Sequence, residues 1–113
     1  MRIREAKRKG LQMKAMNIND GVHAFRETSG AVLLDVRPEE ALKMGWIEGS
    51  INVPADDLQE FVALVPDAAT PVFVYCTAGV MSAYAANILE KMGYLDVTNI
   101  GGIVDFRGEL VSE

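Results

Sequence analysis

The chain has one cysteine, Cys76, and it stands in the stretch VFVYCTAGVMSA, residues 72–83, where a strand-like pattern gives way to a helical one. Such a junction is a place where a sulfur nucleophile can be put to work. Val72, Phe73, Val74 and Tyr75 follow Pro71 as a short β-branched and aromatic run, which predicts a buried strand of a parallel sheet. From Met81 the residues become helix formers, among them Ala83, Ala86 and Leu89, continuing to Lys91 and stopping before Gly93. Thr77, Ala78, Gly79 and Val80 lie between and are compact enough to wrap around the sulfur with their backbone N–H groups turned inward. The positive end of the following helix adds to the attraction for an anion. A free cysteine is otherwise a small buried hydrophobe. The carboxyl end of a parallel strand, however, is where open α/β sheets hold ligands, and this position favours an anion-cradled nucleophile.

Asp35 and Arg37 emerge at the end of the run AVLLDV, residues 31–36. On a mostly parallel sheet they share a rim with Cys76, so both are candidates for substrate binding or loop support, and Arg37 is expected to bring a positive charge near the mouth. Trp46 reads as core or rim packing. The single histidine, His23, falls on a predicted helix away from the strand ends and receives no catalytic role. One cysteine and one histidine give no metal-ligand spacing, so neither a metal site nor another cofactor is expected.

These groups need a scaffold of alternating short strands and helices, the pattern of an α/β domain. Met16–Ile18 is the expected first strand, with Asn19 or Asp20 capping a helix that carries Val22, Ala24 and Phe25 and ends at Ser29–Gly30. After the strand at residues 31–36, Pro38 suits the first turn of a helix running to Met44 and stopped by Gly45. Ile51–Val53 is a third strand, limited by Pro54. A helix opened by Asp56 or Asp57 follows, with Leu58, Phe61, Val62 and Leu64 at helical spacing. Leu95–Ile100 supplies the last strand, and a short helical segment at Ile103–Phe106 closes the domain.

With 113 residues, half of them hydrophobic and 24% charged, the chain is sized for one compact domain without disulfides. Residues 1–14 form a basic arm, carrying Arg2, Arg4, Lys7, Arg8, Lys9 and Lys14 against Glu5, while residues 15–113 form a single acidic domain within an overall net charge of −5. An acidic body argues against nucleic acid as a partner. No apolar run approaches the roughly 18 residues of a membrane span, and the basic start lacks the apolar region of a secretory signal. The expected location is therefore cytoplasmic, in a reducing compartment that suits a lone thiol.

Four segments in order resemble the rhodanese family of sulfurtransferases over residues 16 to 110. LLDVRPEEAL, residues 33–42, is similar to the family's strand with an Asp-x-Arg turn. GWIEGSINVP, residues 45–54, is similar to its Gly-His-Ile-x-Gly-Ala-x-Asn-x-Pro signature, with Trp46 where histidine is usual. VFVYCTAGVMSA resembles the strand, catalytic cysteine and loop. NIGGIVDFRGEL, residues 99–110, resembles the closing Gly-Gly segment, with Phe106 in place of a frequent tryptophan. The resemblance implies a three-layer α/β sandwich, a central mostly parallel five-stranded sheet with helices on both faces. It also implies a sulfurtransferase that moves a sulfane sulfur from thiosulfate or a persulfide donor, through a persulfide on Cys76, to cyanide or a thiol. Thr77, Ala78, Gly79, Val80, Met81 and Ser82 would form the persulfide-binding loop, with the hydroxyls of Ser82 and Thr77 as added donors, and a protein could serve as sulfur-relay partner.

Phosphatases and arsenate reductases on this fold use an arginine at the end of a wider loop to clamp a dianion. Here Ser82 stands at the sixth position after Cys76, and no arginine or lysine occurs from Cys76 to Asn87. Without a bidentate partner for phosphate, those activities are disfavoured. Family members also place arginine where Met81 stands. The uncharged loop implies modest turnover with thiosulfate or a preference for a persulfide donor. The alternative reading is a catalytically weak or inactive rhodanese-like module that binds a partner or an anion.

Overall fold

A computed structural model describes residues 14–113 of the chain. Five strands, β1 (Lys14–Ala15), β2 (Val32–Asp35), β3 (Ser50–Asn52), β4 (Val72–Cys76) and β5 (Val97–Gly102), form one sheet in the order β1-β5-β4-β2-β3. Every neighbouring pair is parallel. Helix α1 (Ile18–Glu27) covers one face, and helices α2 (Gln59–Leu64) and α3 (Val80–Lys91) cover the other. This is the expected three-layer α/β architecture.

Strand β4 lies at the centre with all five residues buried, which is why its sequence is a continuous apolar run. Side-chain alternation divides it between two cores. Val72, Val74 and Cys76 pack with Leu34, Phe61, Ala85, Ala86 and Leu89 beneath α2 and α3. Phe73 and Tyr75 pack with Ile18, Val22, Leu33, Ile47 and Ile100 beneath α1. The two sides of the sheet therefore receive alternate residues of one strand, and Cys76 and Tyr75 face opposite ways.

Several boundaries differ from the expectations. The first strand is Lys14–Ala15, not Met16–Ile18, so Lys14 belongs to the sheet, and the rest of the proposed basic arm lies outside the described residues. Helix α1 already begins at Ile18. Its cap is Asn17, whose side chain accepts the N–H of Asp20 at 2.9 Å and donates to that aspartate's carboxylate. The segment after Pro38 is a 3-10 helix, Glu39–Met44, which buries no side chain; the bonds from Ala41 to Pro38 and from Gly45 to Leu42 are one residue tighter than α-helical ones. The helix expected from Asp56 is split into a 3-10 turn at Ala55–Asp57 and α2. The last strand starts later, at Val97, because Leu95 is exposed and its N–H is taken by the carbonyl of Ala68. Among the described residues no helix is long and apolar enough to cross a membrane.

One irregularity matters for the site. Val74 pairs with Asn99, yet Cys76 pairs with Gly102, so β5 carries one extra residue just where β4 ends. Such a bulge re-aims the strand next to it. It is accommodated at Gly101, whose φ of 87° is the left-handed region.

Candidate active site

Strand β4 delivers Cys76 to the carboxyl edge of the sheet, and the chain turns through Thr77 and Ala78 to Gly79, whose φ of 102° sends it into α3. The backbone N–H groups of Gly79 and Ser82 donate to Cys76 Sγ at 3.1 and 3.2 Å. Ser82 is fully buried, and its Oγ lies 3.4 Å from the sulfur, placed to accept the thiol hydrogen. Sγ thus sits inside the first turn of a twelve-residue helix. The first amides of a helix have no carbonyl one turn back, so this end gathers donors and positive potential around the sulfur.

The loop is held from outside by the end of β5. The N–H of Val104 donates to the carbonyl of Thr77 at 3.2 Å, and Gly102 lies directly beneath Thr77 and Ala78. Asn99 meets Ser82 from the same strand: Ser82 Oγ donates to Asn99 Oδ1 at 2.7 Å, and Gly101 N–H donates to the same oxygen at 3.0 Å.

The site residues read from the sequence separate into two groups. Cys76, Gly79 and Ser82 come together around the sulfur. Thr77, Ala78, Val80 and Met81 form the exposed rim, and the Thr77 side chain is not a donor to Sγ. Ser82 Oγ, expected as a donor to the sulfur, makes its shortest contact with Asn99 Oδ1 at 2.7 Å, against 3.4 Å to Sγ.

Asp35 and Arg37 lie elsewhere. Asp35 shares the face of Tyr75, and both it and Arg37 are buried. Arg37 Nη2 donates to Asp35 Oδ2 at 2.8 Å and to the carbonyl of Gly45 at 2.9 Å, while Nε donates to Asp35 Oδ1 at 3.0 Å. Its guanidinium carbon lies 5.8 Å from the centre of the Tyr75 ring. Tyr75 completes the network, donating to Asp35 Oδ2 at 3.1 Å and accepting the N–H of Ile47 at 3.2 Å. Asn52 Nδ2 bridges the carbonyls of Asp35 and Arg37. Burial pushes the Arg37 guanidinium down, but its bonds with Asp35 and that group's charge outweigh burial and leave it above its ordinary value. Burial, followed by the charge of Asp35, pushes the Tyr75 hydroxyl up to about 12. The positive charge expected at the mouth is therefore turned inward and paired, because the strand that carries Asp35 aims it away from Cys76.

Trp46 is half-buried and exchanges backbone hydrogen bonds with Val111, pinning the end of the chain to the body. It lines a cleft of about 260 Å³ with Leu42, Ser50, Asn52 and Glu113, residues distinct from those around Sγ. His23 is exposed on α1. Among the described residues no group of three or more His, Cys, Asp or Glu side chains is placed to hold a metal ion. Asn99 and Tyr75 join these networks without being legible as functional in the sequence. The available signal for Asn99 is an amide side chain inside the last strand, two places before a Gly-Gly pair.

The chain matches the family model of the Rhodanese-like domain over residues 14–109. It belongs to the rhodanese-like domain family. It is 42% identical over 73 residues to thiosulfate sulfurtransferase PspE of Escherichia coli (strain K12), covering 64% of this chain and 70% of that protein. It is 34% identical over 80 residues to thiosulfate sulfurtransferase GlpE of Stutzerimonas stutzeri (strain A1501), covering 71% of this chain and 72% of that protein. Among solved structures, a rhodanese with anions from E. coli superposes with a TM-score of 0.68 at 37% identity, covering 74% of this chain and 99% of that one. The loop from Cys76 to Ser82 carries no basic residue.

Proposed function

We propose that this chain is a sulfurtransferase that carries a sulfane sulfur as a persulfide on Cys76. The observation that carries the reading is the seat of Sγ between the amides of Gly79 and Ser82 at the start of α3. The relatives named thiosulfate sulfurtransferase support the reaction class. In the first half-reaction the Cys76 thiolate attacks the outer sulfur of a donor such as thiosulfate. The donor's S–S bond breaks and sulfite leaves with the electron pair, so an S–S bond on Cys76 replaces the one broken. In the second, cyanide or a thiolate attacks the outer sulfur of the persulfide and takes it away, leaving Cys76 as the thiolate. Negative charge stays on sulfur throughout, so preorganised N–H donors serve every stage and no proton has to move at the reacting atom.

The rim sets the donor preference. Val80, Met81 and Tyr84, on one face of the first turns of α3, and Val104 beside the loop are all exposed, and none carries charge. A dianionic donor gains little from such a rim, whereas an organic or protein-borne persulfide meets apolar surface. The protein is therefore expected to use persulfide donors more readily than thiosulfate.

The test is cyanide-dependent thiocyanate formation, with thiosulfate and with an organic persulfide as donors, in the wild type and in Cys76→Ser. Activity lost in the serine variant, together with a one-sulfur mass gain on Cys76 after donor treatment, is the expected result. Equal activity in both proteins overturns the reading; no activity and no mass gain in the wild type favours a non-catalytic binding module.

A further inference from the structure

The buried serine beside the sulfur has one hydroxyl hydrogen and four oxygen or sulfur neighbours. Asn99 Oδ1 is nearest at 2.7 Å, ahead of the Gly79 carbonyl at 3.1 Å, the Gly101 carbonyl at 3.4 Å and Cys76 Sγ at 3.4 Å. The orientation of the Asn99 amide is settled by its second contact. Gly101 N–H can only donate, so the atom facing both it and Ser82 is the amide oxygen. That oxygen accepts from both sides and takes the serine hydrogen away from the sulfur. The thiol hydrogen of Cys76 in turn points at the lone pairs left on Ser82 Oγ.

We propose that Asn99 is a positioning residue that holds Ser82 as an acceptor toward Cys76, and so sets how readily the sulfur becomes an anion. The proposal rests on the reading of Cys76 as the reacting group. Ser82 carries the hydroxyl nearest the sulfur, at 3.4 Å, and with Asn99 in place its turning to a thiolate costs the shortest bond it makes, the one to the amide oxygen at 2.7 Å. With Asn99 in place, the two backbone amides are left as the sulfur's donors, and the thiol form keeps an acceptor of its own. The bulge in β5 is what makes the relay possible. It lets Asn99 pair with Val74 while Gly102, and not Gly101, pairs with Cys76, so Gly101 N–H is free to turn back onto the Asn99 side chain. The charged groups on the elements packed around the sulfur are Asp56 and Asp57 on the 3-10 turn against α3, Asp105 after Val104, Glu90 and Lys91 at the far end of α3, and the mutually paired Asp35 and Arg37 at the end of β2, and the variants below leave all of them unchanged.

The experiment is the pH profile of Cys76 alkylation by iodoacetamide in the full chain. Asn99→Ala leaves the serine hydroxyl only the longer contacts to the Gly79 and Gly101 carbonyls, so turning to the thiolate costs less, and the midpoint is expected to move toward acid by about half to one pH unit, the worth of one hydrogen bond. Asn99→Asp keeps the acceptor and adds a charge, and the midpoint is expected to move toward alkali. In a Ser82→Ala background, Asn99→Ala is expected to move the midpoint no further. An unmoved midpoint in Asn99→Ala, or the same displacement with and without Ser82, overturns the proposal. The aspartate variant, which preserves both accepted bonds, supplies the opposite sign if the alanine variant folds poorly; an acid shift there also overturns it. Persulfide loading of the wild type is measured alongside. Its failure counts against sulfur transfer, while normal loading with an unmoved profile counts against Asn99 alone.

Discussion

Gly102 lies so close beneath Ala78 that a Cβ built on it would come within 2.6 Å of the Ala78 Cα and would also overlap the carbonyl oxygen of Thr77. The loop around the sulfur is therefore seated on bare backbone, and the second glycine of the Gly-Gly pair is a requirement of contact. Gly102→Ala is expected to displace the loop, with a stability loss of about 1–3 kcal/mol, the usual range for overpacking. Sulfur transfer is expected to fall by about tenfold or more, as for small misplacements of reacting groups. Thermal unfolding and thiocyanate formation check the two effects; a variant with wild-type values for both would show that the contact does not shape the site.

Met81→Arg is expected to raise turnover with thiosulfate about fivefold, roughly 1 kcal/mol, the attraction of two well-solvated charges about 4 Å apart. Met81 is 45% exposed at the rim, so the new guanidinium has room to reach a dianion without disturbing the core. The gain should shrink as ionic strength rises and be small with an uncharged persulfide donor. Equal gains with both donors, or none, would mean that charge at the rim does not limit the reaction.

Arg37→Met is expected to cost about 3–5 kcal/mol of stability, because it strands the Asp35 carboxylate without its partner in a buried site. Denaturant unfolding measures this. In the protein that remains folded, Cys76 alkylation should proceed at close to the wild-type rate, since the ion pair lies on the other side of the sheet. A large change in alkylation with unchanged stability would reverse the assignment of Arg37 to the scaffold.

Tyr75 predicts an alkaline limit. Its hydroxyl titrates at about 12 in the folded chain against 10 for an unperturbed tyrosine, because burial and the charge of Asp35 disfavour the phenolate. The folded state thus holds this proton more tightly than the unfolded one. Its contribution is complete below pH 10 and is lost as the pH climbs through about 12, amounting to about 2–3 kcal/mol. Unfolding free energies measured from pH 9 to 12 should fall accordingly, and the slope should be shallower in Tyr75→Phe. An identical slope in that variant would assign the alkaline limit to other groups.

Much of the site could be read in advance because its signals are local. The run Val72–Tyr75 is apolar at every position since both faces of β4 are covered, and the change of period after Cys76 marks the loop directly. What escaped depends on pairing between distant segments. Asn99 reaches Ser82 through the register of β5 and its extra residue, and no local pattern encodes that register. Arg37 was expected near the mouth because it follows a strand end; which face it joins follows from the alternation of Asp35 and from the bonds of Tyr75 across the sheet. Met16–Ile18 is too short to show any period, and the capping side chain of Asn17, bonded to Asp20, decides for helix.

The opposite facing of Cys76 and Tyr75 carries a consequence for how the protein reaches its working form. A slip of β4 by one residue would exchange them. The sulfur would enter the core beneath α1, away from the amides of Gly79 and Ser82, and the Tyr75 hydroxyl would enter an apolar core while Asp35 lost a donor. A chain that places its reagent wrongly therefore also breaks its most buried polar network. Folding itself proofreads the position of the sulfur.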